Sequence, residues 1–63
     1  MKNSDLYVGA GNLITTAELE NVHVSGDEGD YVEIVERNSA GDRGFRLVPK
    51  SEIVAVNGQP LPD

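Results

Sequence analysis

Between residues 20 and 48, apolar and polar residues alternate in three short runs, and clusters of turn-forming residues interrupt them. "SGDEGD", residues 25 to 30, separates "ENVHV" from "YVEIVER", and "NSAGD", residues 38 to 42, separates "YVEIVER" from "RGFRLV". A period of two places successive side chains on opposite faces of an extended chain, the pattern of a half-buried strand. Asp, Asn, Ser and Gly are the residues that tight loops between such strands require. The pattern therefore predicts two hairpins sharing their middle strand, a three-stranded antiparallel meander.

The flanking segments extend this reading. Leu6 to Val8 form a short apolar run, read as a strand, that "GAG" at residues 9 to 11 ends. In "LITTAELENVHV" two signals compete. Thr15 with Glu18 three positions later fits a capping box, whereas Ile14, Thr15, Thr16, Val22 and Val24 favour extended backbone. At most one short helical turn near residues 16–20, followed by a strand through Val22 and Val24, satisfies both, and residues 12–21 are left open between helix and strand. After Pro49, "PKS" turns and "EIVAV" leads to a further strand closed by Asn57-Gly58, a turn dipeptide. Residues 1–4 are polar apart from Met1, and 59–63 carry two prolines, so both ends are expected to be loose.

Strand, proline, tight turn and strand in "RGFRLVPKSEIVAVNG", residues 43 to 58, resemble the end of an SH3-like small barrel. The resemblance covers roughly residues 18 to 57. It implies an all-β fold, a five-stranded SH3-like barrel or a strongly bent antiparallel meander, in a single domain over residues 1–63. It implies no binding motif, because the acidic and aromatic loop and the paired tryptophans of SH3 domains have no counterpart in a chain with no Trp, two Tyr and one Phe. "EIVAVNGQPL", residues 52 to 61, also looks like a strand and turn of PDZ domains, but the groove-forming helix and strand of that family do not follow it.

Sixty-three residues without cysteine leave a small core with no disulfide and no thiolate metal site to reinforce it. A domain of this size buries only about 60% of its unfolded surface, so idealised packing or a partner subunit is expected to make up the shortfall. The net charge of −6 argues against direct nucleic-acid binding and against an anionic membrane surface, both of which need clustered Lys and Arg. Sm-like proteins and bacterial carbon-storage regulators also build oligomers from short twisted strands, but they present basic faces that this chain lacks. No apolar run has the length of a signal-peptide core or a membrane span, so a soluble, cytoplasmic protein is expected.

No residue pattern points to catalysis. The single His23 lies between Val22 and Val24, and alternation turns it toward solvent without the acid or nucleophile that an active site needs. Asp27, Glu28 and Asp30 crowd one turn, yet they supply too few oxygens at the wrong spacing for a calcium loop. "VGAGN" lacks the third glycine and the following helix of a phosphate-binding loop. No enzyme, metal or cofactor is therefore expected. Arg37, Arg43 and Arg46, three of the five basic residues, gather at the second hairpin. With Tyr31 they form a candidate protein-binding patch, since Arg and Tyr are favoured in interface hot spots, and Asp27, Glu28 and Asp30 form an acidic counterpart. The alternative for the arginines is plain cross-strand pairing with Glu33 and Glu36. The expected function is a non-enzymatic interaction module that binds a protein or self-associates. The alternative is an acidic inhibitor or nucleic-acid mimic that occupies a basic site on another protein.

Overall fold

The computed structural model describes residues 6–62. Among the described residues, six antiparallel strands form one unclosed sheet: β1 (Leu13–Thr15), β2 (Val22–Glu28), β3 (Tyr31–Arg37), β4 (Arg43–Pro49), β5 (Ala55–Val56) and β6 (Gln59–Pro60). Their order across the sheet is β4-β3-β2-β1-β5-β6, and among the described residues the one helical element is a 3₁₀ turn over Lys50–Glu52.

The predicted meander is β2, β3 and β4. β3 and β4 pair without interruption from Tyr31↔Pro49 to Arg37↔Arg43, and residues 38 to 42 form the loop between them as expected. Asn38 stabilises that loop through its own Oδ1, which accepts from the Ala40 and Asp42 amides at 2.9 and 3.0 Å. The first hairpin is tighter than the sequence suggests. β2 runs on through Ser25, Gly26, Asp27 and Glu28, and only Gly29 and Asp30 make the turn. Gly29 at φ 76° supplies the left-handed conformation that a two-residue hairpin loop needs.

A one-residue bulge in β2, between Val24 and Gly26, bends the strand where it changes partners. Its first half pairs with β1, as Ile14↔Val22 shows, and its second half with β3, as Val24↔Ile34 shows. The bend folds the sheet around one core of Val8, Ile14, Val24, Val32, Ile34, Val48 and Ile53. Burying such side chains stabilises the fold by about 25 cal/mol for each Å² of apolar surface removed from water.

Other expectations are corrected. Leu6 to Val8 is not a strand, and its contacts come from side chains, as described below. No helical turn forms at residues 16–20: Thr16 Oγ1 accepts the amides of Glu18 and Leu19 in a bend, and the helix-capping role of Thr15 has nothing to cap. The extended signal of Ile14 and Thr15 prevails, as β1. Five strands become six, because Gln59–Pro60 pairs with β5 across a turn in which Asn57 and Gly58 take φ 52° and 81°. Pro60 is tolerated at this edge because an edge strand needs no outward donor. The Asn57 side chain also braces β1, accepting the Leu13 amide at 2.9 Å. The expectation for residues 1–4 lies outside the described residues.

Ile34 is fully buried and Phe45 is 62% exposed, which orients the meander unambiguously. In dilute solution, Ile34→Ala is expected to cost about 2–5 kcal/mol in urea unfolding, while Phe45→Ala changes stability by no more than about 0.5 kcal/mol. Equal costs would contradict this facing.

Candidate functional site

Lys50, the first residue of the 3₁₀ turn, is only 3% exposed, and an unpaired ammonium so placed would be strongly destabilising. Its Nζ lies 2.7 Å from Asp27 Oδ2 and donates to the Leu6 carbonyl at 2.6 Å. Asp27 faces the core from β2, opposite Val32. Its Oδ2 accepts the Val8 amide at 2.9 Å and its Oδ1 the Gly29 amide at 3.1 Å. The backbone of Lys50 donates in turn to the Asp30 carbonyl. One ion pair thus joins the segment before β1, the first hairpin and the corner after β4.

The hydrogen bond from Lys50 lowers the Asp27 pKa below the ordinary value of 3.8, the Val8 amide acts in the same direction, and partial burial opposes both. A carboxylate this committed is a structural group. Of the acidic candidates, Asp27 is turned inward and Glu28 and Asp30 remain exposed at the hairpin turn.

The basic candidates are divided between two faces. Directly opposed residues of an antiparallel pair share a face, so Tyr31, Glu33, Val35 and Arg37 lie with Pro49, Leu47, Phe45 and Arg43 on the side away from the core. Arg46 lies on the core side with Ile34 and Val48, beyond the end of the core, and pairs with Glu36 at 3.0 Å. Tyr31 and Arg43 therefore share a surface and Arg46 does not. His23 is exposed as expected, and with Val35, Arg37 and Arg43 it lines a shallow depression of about 510 Å³ on the outer face.

Phe45 and Leu47 are the residues that sequence reasoning passed over. They are 62% and 54% exposed, and Tyr31 beside them is 45% exposed. They stand on β4, a terminal strand of the sheet. The side of β4 away from β3 has no strand partner among the described residues. A seven-residue edge with apolar side chains and open backbone groups is a template for another chain. Among the described residues, no group of three or more His, Asp or Glu is placed to hold a metal ion, and no helix is long and apolar enough to cross a membrane. The chain matches no protein-family model, no curated protein and no solved structure.

The depressed Asp27 pKa fixes a pH dependence. Its folded-state value lies below the unfolded one, so the pair's contribution is complete above about pH 3.8 and is lost as pH falls through the folded value. Asp27→Asn is expected to be less stable than wild type at pH 7, with the gap closing on acidification below pH 3.8 in thermal melts. Replacing both partners, Asp27→Leu with Lys50→Met, is expected to restore much of the loss, because no charge is then stranded. A gap independent of pH would contradict the assignment.

Proposed function

We propose that this chain is a non-enzymatic interaction module of SH3-like type that binds a protein through the outer face and free edge of the β3-β4 hairpin. The observation that carries this reading is the coincidence of Phe45 and Leu47, both more than half exposed, with the unpaired edge of the strand that bears them. Exposed apolar groups beside open backbone donors and acceptors support strand addition, in which main-chain hydrogen bonds supply affinity and alternate side chains supply selectivity. Tyr31 and the arginines at the hairpin end complete a rim of residue types favoured at interfaces. The SH3-like assignment is supported by the strand, Pro49, 3₁₀ turn and strand order, and it carries no peptide-docking motif with it. An acidic mimic would draw on the negative charge of residues 18 to 36, within which the Asp27 carboxylate is already taken by Lys50 and Glu36 is paired with Arg46. The hairpin face has the stronger support.

A photoreactive phenylalanine analogue at position 45 tests the reading, with the same analogue at exposed Val54 as control. The expected result is a cross-linked protein adduct at 45 and none at 54. Excess unlabelled wild type should compete away an adduct with a different protein, or itself appear in the adduct where the partner is the same chain, and excess Phe45→Asp/Leu47→Asp should do neither. No adduct at 45, or equal competition by the variant, would overturn the assignment.

A further inference from the structure

We propose that the occupant of this edge is a second copy of the chain, joined by antiparallel pairing of β4 with β4 about a two-fold axis at Phe45. The inference rests on the reading of the hairpin as the binding surface and adds the partner and the register.

The backbone parity of β4 is fixed at both ends. Asn38 donates to the Asp42 carbonyl at 3.1 Å, and Lys50 donates to the Asp30 carbonyl at 2.9 Å. In an antiparallel ladder the residues that exchange hydrogen bonds alternate with those that do not. Between these fixed points, Gly44, Arg46 and Val48 therefore bond to β3, and Arg43, Phe45 and Leu47 direct their N–H and C=O groups outward. Pro49 also faces outward but has no N–H to offer.

These constraints select a register. Centring the pair on Phe45 sets Phe45 against itself and Arg43 against Leu47 of the second copy, so every outward donor and acceptor of these three residues finds a partner. Centring on Leu47 would set Phe45 against Pro49 and lose donors.

The side chains agree with the Phe45 register. On the outer face, Val35 and Phe45 of each copy meet in one apolar row, flanked by rows running Arg37, Arg43, then Leu47 and Glu33 of the second copy. Each flanking row joins a cationic end to an anionic one. On the other face, Arg46 lies against Gly44 of the second copy, whose own cross-strand neighbour is Glu36. Gly44 is otherwise hard to account for. Its φ is not positive, a Cβ there would meet nothing within 4 Å, and glycine weakens a strand interior. In the paired sheet its missing side chain leaves a passage through which Arg46, paired with Glu36 of its own chain at 3.0 Å, can exchange to Glu36 of the second copy. The chain carries −6 overall, yet three of its five basic residues lie on this hairpin. Pairing here brings together the parts of two acidic molecules that repel least.

The absence of cysteine makes single-cysteine trapping a clean test. Phe45→Cys and Leu47→Cys are oxidised mildly at equal concentration, beside sedimentation equilibrium of the unmodified chain. In the proposed register the two Phe45 Cα atoms are about 5.5 Å apart, within disulfide reach, while the two Leu47 positions are offset by about 13 Å and beyond it. The expected result is a covalent dimer of Phe45→Cys, little from Leu47→Cys, and a reversible dimer of the unmodified chain. Gly44→Val is expected to keep or raise the thermal midpoint at dilution and to weaken dimerisation at least tenfold. Equal cross-linking of the two cysteine variants, a monomer at all concentrations, or a Gly44→Val dimer of undiminished affinity would overturn the proposal. A monomeric chain whose position-45 probe still captures a different protein would remove the second copy and keep the binding surface. The absence of any adduct would remove both.

Discussion

The buried pair of Lys50 and Asp27 is the contact on which the rest of this structure depends. The sheet is open, the two strands at its β6 end, β5 and β6, are two residues each, and backbone pairing alone would leave the core uncovered on one side. Val8 covers it, although it belongs to no strand, because its amide is held by the carboxylate that Lys50 also grips. Ile53 covers it from the other direction, with its amide donating to the Lys50 carbonyl at the end of the 3₁₀ turn. A charged pair in a small core is costly to desolvate. Here each charge has additional partners, the Leu6 carbonyl for the ammonium and two backbone amides for the carboxylate, which offset that cost.

The same corner determines what remains free. At Pro49 and Lys50 the chain leaves β4 and turns toward the core, where Ile53 is buried, and Val54 then bonds to Thr15 beside β1. The chain after β4 therefore pairs at the far end of the sheet and leaves the outward groups of Arg43, Phe45 and Leu47 open. Natural sheets usually blunt such an edge with charge, proline or a bulge. β4 has Pro49 at one end and Arg43 at the other, and between them it presents Phe45 and Leu47.

Much of the fold was legible because alternation and turn chemistry agreed over residues 31 to 48, and the loop at 38 to 42 fell where the sequence put it. Alternation does not say which face is inward. Once the loop sets Arg37 against Arg43, Leu47 falls opposite Glu33 and Val48 opposite Val32, and the larger apolar residues prove to be the external ones. The ion pair was hidden for a different reason. Lys50 and Asp27 belong to turns by composition, and their meeting depends on β2 continuing past Gly26, which a Gly- and Asp-rich segment does not advertise. β1 was obscured by local competition, since the capping signal of Thr15 and Glu18 was outweighed by pairing with Val22 and Val56. The hairpin arginines were visible as a cluster, but only the register separates Arg43 from Arg46.

Hydrogen exchange at individual β4 amides, followed at low and high protein concentration, is the most direct test that β4 is a free edge awaiting a strand. Slow exchange is expected at Arg46 and Val48 at both concentrations. Phe45 and Leu47 should exchange fast when dilute and slowly when concentrated. If Phe45 and Leu47 are as protected as Arg46 in dilute solution, the chain itself covers this edge. If they stay unprotected at high concentration, no second copy pairs there, and the account is contradicted in either case.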